Sequence, residues 1–469
     1  MPLQPKTGFL GLTLELYNRC FPELIVRLRD FAILLGGRLS ERMDVVEEPV
    51  AFTRDDVDSA VARFEREDVD AIVIVLLSYS PSLISLPALL RTRRPIIVFN
   101  TQRLAGIDES FAAQDMIDNH GMHGVQDLCN VLSRHGRSFE LLTGHYECPE
   151  TMQRLESLVR GAAAVSALRG RRVGILGHQF DGMGDLYVDG TLLLAKTGVE
   201  VCHISTARLA ECIASIESQD IDRLVASDRE EFVVDEAVTE NDLRTSARVE
   251  LGLRAIVQEE RLSAVCPLFT AATDHPGIPM LPFAAVSKFL AEGMGYGGEG
   301  DPTSATAVLL MQQLTRDTNF TEMFTIDFAG NTVFMNHMAE TNYKLSRADV
   351  PPLLYRNEAT FLRGMPPLCV FAVQRPGEVT LLNLVASAGG RLEMICFRGE
   401  VEDWGPVPDI RSPHFLFRPR CAAGVSEFLT RYSVEGGSHH LALGYGDHRE
   451  SLRAAARVMG VDFVEITDP

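Results

Sequence analysis

The segment G-M-G-Y-G-G-E-G-D at residues 293–301 holds the carboxylate of Glu299 between two glycines. Flanking glycines let the backbone turn sharply and bring a carboxylate close to another group. Phosphate binding is a weak interpretation, because the Lys-Ser/Thr of a P-loop is missing and the G-x-G-x-x-G spacing does not follow a strand. Two interpretations stay open from this segment alone: a carboxylate that does chemistry, or a solvated glutamate in a surface turn.

Asp301 and Pro302 stand directly before a predicted helix at residues 303–314. Aspartate is a favoured N-cap, and proline is favoured at the first helical position. We therefore predict that Asp301 caps this helix. An N-cap beside a metal can also hold a metal ligand in place.

Glu322 and His337 flank a predicted β-hairpin. Gly330 and Asn331 form its turn, between strands at residues 324–328 and 332–335. Glu322 precedes the first strand and His337 follows the second, so both are expected at the same end of the hairpin. Each side chain alone is usually structural or solvated, and their common position is what favours a shared site.

His439 and His440 end the sequence G-G-S-H-H at residues 436–440. Neighbouring residues of a strand point to opposite faces, so we expect only one of these imidazoles to reach a given metal. Loop histidines, or one buried histidine with a satisfied hydrogen bond, are the alternative. Histidine is nevertheless the commonest metal-ligand side chain.

Two carboxylates and two imidazoles, from Glu299, Glu322, His337 and His440, would form a mixed oxygen and nitrogen ligand set without thiolate. Such a set favours Mn²⁺, with Co²⁺, Mg²⁺ or Fe²⁺ as alternatives, over a structural zinc site. Coordination positions would remain open for two substrate oxygens.

The elements that must position these residues change along the chain. Through the first two thirds, continuous apolar strands such as residues 71–77, 95–99 and 172–176 alternate with helices. This order predicts parallel sheets covered on both faces. From about residue 320, short β-like runs between Gly and Pro turns predict a mostly antiparallel unit. We predict domains at residues 1–165, 166–318 and 319–469.

Composition limits the class of protein. The chain has 469 residues, too many for one core, and its net charge of −20 excludes a basic nucleic-acid footprint and disfavours an anionic membrane surface. No signal peptide or membrane-spanning run is recognisable, and the nine cysteines form no C-x-x-C pair. We therefore expect a soluble cytoplasmic protein with reduced thiols.

These motifs resemble those of the L-arabinose isomerase family. The segment from Met280 to Asp301 is similar to the family segment that ends in G-E-G-D, N-H-M-A-E at 336–340 to S-H-M-L-E, and G-G-S-H-H to G-G-x-H-H. The order agrees and the resemblance covers most of the chain. Weaker similarities occur at Y-S-P (79–81), F-N-T-Q (99–102), His123-Gly124 and D-G-M (181–183).

The resemblance implies an α/β protein: two doubly wound parallel-sheet domains followed by a C-terminal β-barrel domain, in trimers or hexamers with shared active sites. It also implies the roles of individual residues. The metal ligands would be Glu299, Glu322, His337 and His440. The catalytic or supporting residues would be Glu299, Glu322, Asp301 and His439. The substrate-binding residues would be Glu15, Tyr79, His123, Met183, Phe320 and Glu340.

The family converts an aldose into a ketose by moving a proton between C1 and C2 through an ene-diol. This chain departs from the family at residues 11–17, where a sugar-contacting G-S-Q-H-L-Y-G is replaced by G-L-T-L-E-L-Y. Glu15 is therefore either a solvated strand end or a contact to a sugar other than L-arabinose. An L-arabinose-like pentose or a related sugar is expected as substrate. A sugar epimerase with the same site and a non-catalytic sugar-binding protein are the alternatives.

Overall fold

The computed structural model describes residues 4–358 and 365–466, and these form two units. The first unit comprises residues 4–166 and 450–459, and the second comprises residues 167–449 and 460–466.

A five-stranded parallel sheet forms the centre of the first unit. Its strands are β1 (Lys6–Leu12), β2 (Asp44–Ala51), β3 (Ala71–Leu76), β4 (Ile96–Asn100) and β5 (Glu140–Thr143), in the order β2-β1-β3-β4-β5. Every residue of β3, A-I-V-I-V-L, is buried. This is the pattern of a strand covered on both faces, as the sequence predicts.

Seven helices begin within this unit: α1 (Glu15–Cys20), α2 (Pro22–Ser40), α3 (Arg54–Arg66), α4 (Ser82–Arg91), α5 (Ala113–Asp118), α6 (Gly121–Arg134) and α7 (Pro149–Leu168). The start of α3 follows from its sequence. The Thr53 side chain accepts a hydrogen bond from the Asp56 backbone N–H, and the Asp56 side chain accepts one from the Thr53 N–H. This reciprocal pair is a capping box, which marks the start of a helix.

The second unit begins with another parallel sheet. Its strands are β6 (Arg172–Leu176), β7 (Glu200–Ile204), β9 (Ala264–Pro267) and β10 (Gly295–Tyr296), in the order β10-β9-β6-β7; β8 (Val233–Val234) pairs elsewhere. The helices along this stretch are α8 (Gly190–Thr197), α9 (Thr206–Ser215), α10 (Ser218–Glu231), α11 (Glu240–Glu259), α12 (Phe269–Thr273), α13 (Phe283–Glu292) and α14 (Pro302–Leu314).

An antiparallel barrel follows in the same unit. Its strands are β11 (Thr318–Asp327), β12 (Thr332–Asn336), β15 (Gly377–Ser387), β16 (Arg391–Val401), β17 (His414–Pro419) and β18 (His440–Tyr445). They pair in the order β15-β18-β11-β12-β17-β16, and pairing of β15 with β16 closes the ring. β19 (Asp462–Glu465) adds to β16 in parallel. The predicted hairpin between Glu322 and His337 is confirmed as β11–β12.

Helix α14 joins the parallel sheet to the barrel. Nearly all its side chains are buried, because it packs against β9 and β10 on one side and β15 and β18 on the other. β13 (Leu353–Arg356), β14 (Leu368–Phe371) and β8 form a small third sheet. The remaining helices are α15 (Gly424–Val434) and α16 (Arg449–Met459), and residues 450–459 of α16 belong to the first unit.

The fold class predicted from the sequence is confirmed: parallel α/β sheets are followed by an antiparallel barrel. The division into domains at residues 165 and 318 stays a prediction. Among the helices of residues 4–358 and 365–466, none has the length and apolarity that crossing a membrane requires.

Candidate functional site

Glu299 lies in a tight turn between β10 and α14. Its backbone is in the left-handed region, with φ 58° and ψ 26°, which is uncommon for a residue other than glycine. The next residue, Gly300, has φ 79°, and a Cβ there would lie 2.4 Å from the His178 carbonyl oxygen. The turn is thus packed against the loop after β6, and glycine at position 300 makes this approach sterically allowed.

Glu322 lies on the central of three neighbouring barrel strands. It is the register partner of Asn336 on β12 and of His440 on β18. Its Oε1 lies 3.1 Å from His440 Nε2 and 3.9 Å from the Nε2 of His337, the residue after Asn336. The register of the barrel therefore brings three chain segments to one point.

Asp301 contacts the Nδ1 of His440, the ring nitrogen that does not face Glu322. The His440 Nδ1 and the Asp301 Oδ2 lie 2.9 Å apart, and both side chains are fully buried. The other Asp301 oxygen accepts hydrogen bonds from the backbone N–H groups of Thr303 and Ser304, which confirms Asp301 as the N-cap of α14. Asp301 thereby fixes His440 to the start of this helix, with Nε2 directed toward Glu322.

The Nδ1 of His337 likewise contacts a carboxylate, that of Glu340. Its Nδ1 lies 2.5 Å from Glu340 Oε2, and the hydroxyl of Tyr296 donates to Glu340 Oε1 over 2.5 Å. All three residues are buried. His337 thus has a carboxylate at Nδ1 and faces Glu322 with Nε2, as His440 does.

His439 forms a third imidazole–carboxylate pair, with Asp185. The Nδ1 to Oδ2 distance is 2.6 Å, and the His439 Nε2 lies 3.6 Å from Glu299 Oε2. The expectation that only one of the adjacent histidines reaches the site does not hold. His439 precedes the first residue of β18, so strand alternation does not apply to it, and the two rings lie 4.2 Å apart between centroids.

Four residues form a group that could hold a cation. Glu299, Glu322, His439 and His440 each offer a ligand atom, and these atoms lie within 4.8 Å of one another. Among the described residues, the buried atoms Glu299 Oε2 and His440 Nε2 have no hydrogen-bond partner. Buried polar atoms normally have partners, so these two fit a role as ligands. In metal sites, an imidazole that binds the metal through one ring nitrogen typically has a carboxylate at the other ring nitrogen. This arrangement is present here.

The acidic and imidazole side chains of the group shift one another's pKa values. Burial of His440 disfavours its charged form, but Asp301 and Glu322 outweigh burial and raise its pKa to about 9. Contact with Glu299, and then with Asp185, raises the pKa of His439 to about 9. Burial alone would raise the pKa of Glu322, but His337 and His440 hold it below its ordinary value. Without a cation, the imidazoles of His439 and His440 are therefore protonated at neutral pH beside the ionised carboxylate of Glu322.

A cavity of about 110 Å³ lies beside these residues. Glu299, Glu322 and His337 line one part of it, and apolar groups of Phe269 and Phe283 are among the described residues that line the rest. The cavity offers a small organic molecule both acid–base groups and an apolar wall.

The other predicted site residues lie in different places. Phe320 is buried between His337 and His440, with ring centroids 4.8 and 4.9 Å from theirs, so it packs the imidazoles. Met183 is half-buried in the loop after β6 that also carries Asp185.

Glu15, Tyr79 and His123 belong to the first unit. Glu15 begins α1 and is exposed, and Tyr79 is half-buried in the loop after β3. His123 lies on α6, where its Nδ1 is 2.6 Å from His120 Nε2. Their roles in substrate binding remain predictions.

Sequence reasoning missed two partners of the site, Asp185 and Tyr296. Asp185 contacts a residue 254 positions away, and no local pattern marks it, although it lies two residues after the D-G-M similarity. Tyr296 lies within the Gly-rich segment itself, but its partner Glu340 is 44 residues away. Its place before two glycines and Glu299 was the available signal.

Comparison with known proteins agrees with the geometry. Three family models match: the L-arabinose isomerase N-terminal domain at residues 30–170, the central domain at 190–317 and the C-terminal domain at 317–462. The L-arabinose isomerase of Geobacillus kaustophilus is 26% identical over 420 residues, 86% of this chain and 82% of that protein. That of Aeromonas hydrophila is 24% identical over 495 residues, 99% of this chain and 94% of that protein.

Among solved structures, the chain is similar to a periplasmic solute-binding protein of Actinobacillus succinogenes with bound D-allose. The identity is 15%, the match covers 67% of this chain and 91% of that chain, and the TM-score is 0.18, too low to carry an argument.

The fold, the group of acids and imidazoles and the family models together define an isomerase, that is, an intramolecular oxidoreductase. The chain belongs to the L-arabinose isomerase family. At 24–26% identity to its curated relatives, it is a divergent member.

Proposed function

We propose that this protein is a metal-dependent aldose–ketose isomerase that acts on a small sugar, an L-arabinose-like pentose or a related aldose. The observation that carries the proposal is the convergence of Glu299, Glu322, His439 and His440, with two buried ligand atoms left unpartnered. Family membership supports the reaction class, and the similarity to L-arabinose isomerases supports the choice of sugars.

Glu299, Glu322, His337 and His440 would hold the cation, and Mn²⁺ suits this ligand set, with Co²⁺, Mg²⁺ or Fe²⁺ as alternatives. When bound, the cation would polarise the substrate oxygens at C1 and C2 and stabilise developing negative charge. Of these four residues, Glu299, Glu322 and His440 belong to the group of converging ligand atoms, which His439 completes. His337 lies outside that group, with Nε2 3.9 Å from Glu322 Oε1.

The two glutamates would carry the proton. One carboxylate would take the proton from C2 while the other gives a proton to the carbonyl oxygen at C1, which forms the ene-diol. The first would then return its proton to C1, and the hydroxyl at C2 would give its proton to the second, so both glutamates are regenerated. Their carboxylates converge on one point from different elements, a turn and a strand, so they can lie on either side of a bound sugar. Asp301, Glu340 and Asp185 keep the imidazoles oriented.

Further properties complete the proposal. We propose a cytoplasmic enzyme that forms trimers or hexamers, in which Glu15, Tyr79 and His123 contact the sugar. The acidic net charge of −20 supports the absence of nucleic-acid and membrane partners. The chain would fold into domains near residues 1–165, 166–318 and 319–469.

A screen of aldoses tests the proposal. The purified protein is incubated with Mn²⁺ and each of a set of aldopentoses, aldohexoses and deoxysugars, and ketose formation is measured. Deuterium from solvent should enter C1 or C2 of the product, because an ene-diol exchanges its proton, whereas a hydride shift would leave the product unlabelled. An epimer as the only product would replace isomerisation by epimerisation, and sugar binding without turnover would contradict both.

A further inference from the structure

A buried line of three side chains runs from Tyr296 to the proposed metal site. The Tyr296 hydroxyl donates to Glu340 Oε1 over 2.5 Å, Glu340 Oε2 lies 2.5 Å from His337 Nδ1, and His337 Nε2 faces Glu322 at 3.9 Å. The exposed fractions are 1% for Tyr296, 2% for Glu340 and 8% for His337. Little of these three side chains is therefore exposed to bulk solvent.

Each contact restricts the next one along the line. The Tyr296 hydroxyl donates to the Glu340 carboxylate and so fixes the position of Oε1. The other oxygen, Oε2, lies 2.5 Å from His337 Nδ1. An imidazole with a carboxylate at Nδ1 presents Nε2 as the ligand atom.

We infer that Tyr296 is a positioning residue that sets the cation affinity of the site through Glu340 and His337, an inference that rests on the metal dependence proposed above. The hydroxyl, and not the ring, carries this role. The Tyr296 ring packs edge-on against Phe320 with centroids 4.9 Å apart. A phenylalanine at this position retains that packing and loses only the hydrogen bond.

The chain offers a matched control at Tyr343. Its hydroxyl donates to Glu231 Oε1 over 2.5 Å, its exposed fraction is 5%, and its ring also packs edge-on, against Phe232 at 4.8 Å. Tyr343 and Glu231 are not members of the cation-binding group. Glu231 is exposed, so Tyr343→Phe removes a partly buried tyrosine–glutamate hydrogen bond of the same length away from the site.

The experiment measures Mn²⁺ and Co²⁺ affinity of the wild type, Tyr296→Phe and Tyr343→Phe by calorimetry or chelator competition. We expect Tyr296→Phe to bind about tenfold more weakly, the lower end of the effect of losing a partner behind a metal ligand. Tyr343→Phe should bind as the wild type does. At saturating Co²⁺ the visible absorption of Tyr296→Phe should differ from that of the other two, since His337 is held differently.

Activity supplies a further readout. Excess cation should restore the turnover of Tyr296→Phe and leave its KM for the sugar unchanged, because the hydroxyl acts through metal occupancy. Equal affinity of the two phenylalanine variants would overturn the inference. If the wild type itself binds no cation, the proposed function fails instead.

Should Tyr296→Phe not fold, Glu340→Gln tests the same line. It retains an acceptor for Tyr296 and removes the negative charge beside His337. Weakened cation binding by a folded Glu340→Gln protein would support the inference, and wild-type affinity would overturn it.

Discussion

Glu322 and His440 are register partners on the adjacent strands β11 and β18, and the carboxylate Oε1 lies 3.1 Å from the imidazole Nε2. The relationship spans more than a hundred residues of chain. Because the pairing of barrel strands decides it, the site is a property of the barrel's register as much as of its side chains.

Glu299→Gln should abolish isomerisation. The change removes a proton carrier and a proposed ligand together, so kcat should fall by more than the roughly 10²–10⁴-fold that general acid–base catalysis alone contributes. Ketose formation at saturating Mn²⁺ measures it. Glu236→Gln changes an exposed glutamate and should leave the rate unaltered. An active Glu299→Gln protein would remove Glu299 from the reaction.

Cation binding should release protons and tighten with rising pH. The pKa of His440 is raised to about 9 in the protein without a cation, so its imidazole is charged at pH 7 and must lose a proton to act as a ligand. Affinity should therefore rise about tenfold per pH unit for each proton released, and level off above pH 9. Calorimetry in buffers of different ionisation enthalpy counts the protons. Affinity independent of pH between 6 and 8 would contradict this.

Asp185→Asn should lower turnover more than binding of the sugar. Asp185 contacts His439 Nδ1 and orients this imidazole. An asparagine there carries no negative charge, so the pKa of His439 should fall from about 9. The pH dependence of kcat is the measurement. Asp189→Asn, which alters only the N-cap of α8, serves as the control and should not shift that profile. Identical profiles for both variants would leave Asp185 without a part in turnover.

Gly300→Ala should destabilise the protein more than Gly182→Ala. Both glycines have positive φ, 79° and 92°, so an alanine costs about 1–2 kcal/mol at either position. Only at position 300 would the new Cβ also meet a backbone oxygen, 2.4 Å away, and only there would it disturb Glu299. Chemical denaturation gives the two free energies of unfolding, and equal values would show that the turn is more adaptable than its packing indicates.

Lys288→Met should destabilise the second unit by about 3–5 kcal/mol at pH 7, because it removes the cation from the buried carboxylate of Asp228 and leaves that of Glu250 with Arg254 alone. Lys288 contacts Asp228 and lies 2.7 Å from Glu250, and all three side chains are buried.

The loss from Lys288→Met should shrink on acidification. Burial raises the pKa of Asp228 to about 6 although Lys288 lowers it, and removal of Lys288 should raise it further. The folded variant therefore binds this proton more readily than the unfolded chain, and stability is regained as pH falls from above 6 toward the ordinary aspartate value. Denaturation at pH 7 and 5 measures the change. Lys344→Met, at an exposed position, should have little effect at either pH.

Local sequence was sufficient to predict some features of the fold and of the site. Thr53 and Asp301 could be predicted as N-caps because capping depends on the next three residues. Gly330 and Asn331 likewise predicted the hairpin that places His337 beside Glu322. In each case the deciding interaction lies within one element or one turn.

Other features depend on contacts that sequence spacing does not encode. Closure of the barrel rests on the pairing of β18 with β11 and with β15, which join strands far apart in the chain, and these registers depend on tertiary packing. Strand alternation predicted that only one of His439 and His440 reaches a given metal, but His439 precedes the first residue of β18, so alternation does not apply to it. The position of this strand boundary thus decides that both imidazoles lie near the carboxylates.

The three adjacent strands that carry Glu322, Asn336 and His440 also tie cation binding to correct assembly of the barrel. A slip of β18 by a single residue would turn His440 to the opposite face, so a misregistered chain could keep its strand content and still take up no ion. Loading with Mn²⁺ would then distinguish native from misassembled protein in a refolding mixture. It would also stabilise the native form alone by a free energy of RT ln(1 + [L]/Kd), and so raise the melting temperature of that form.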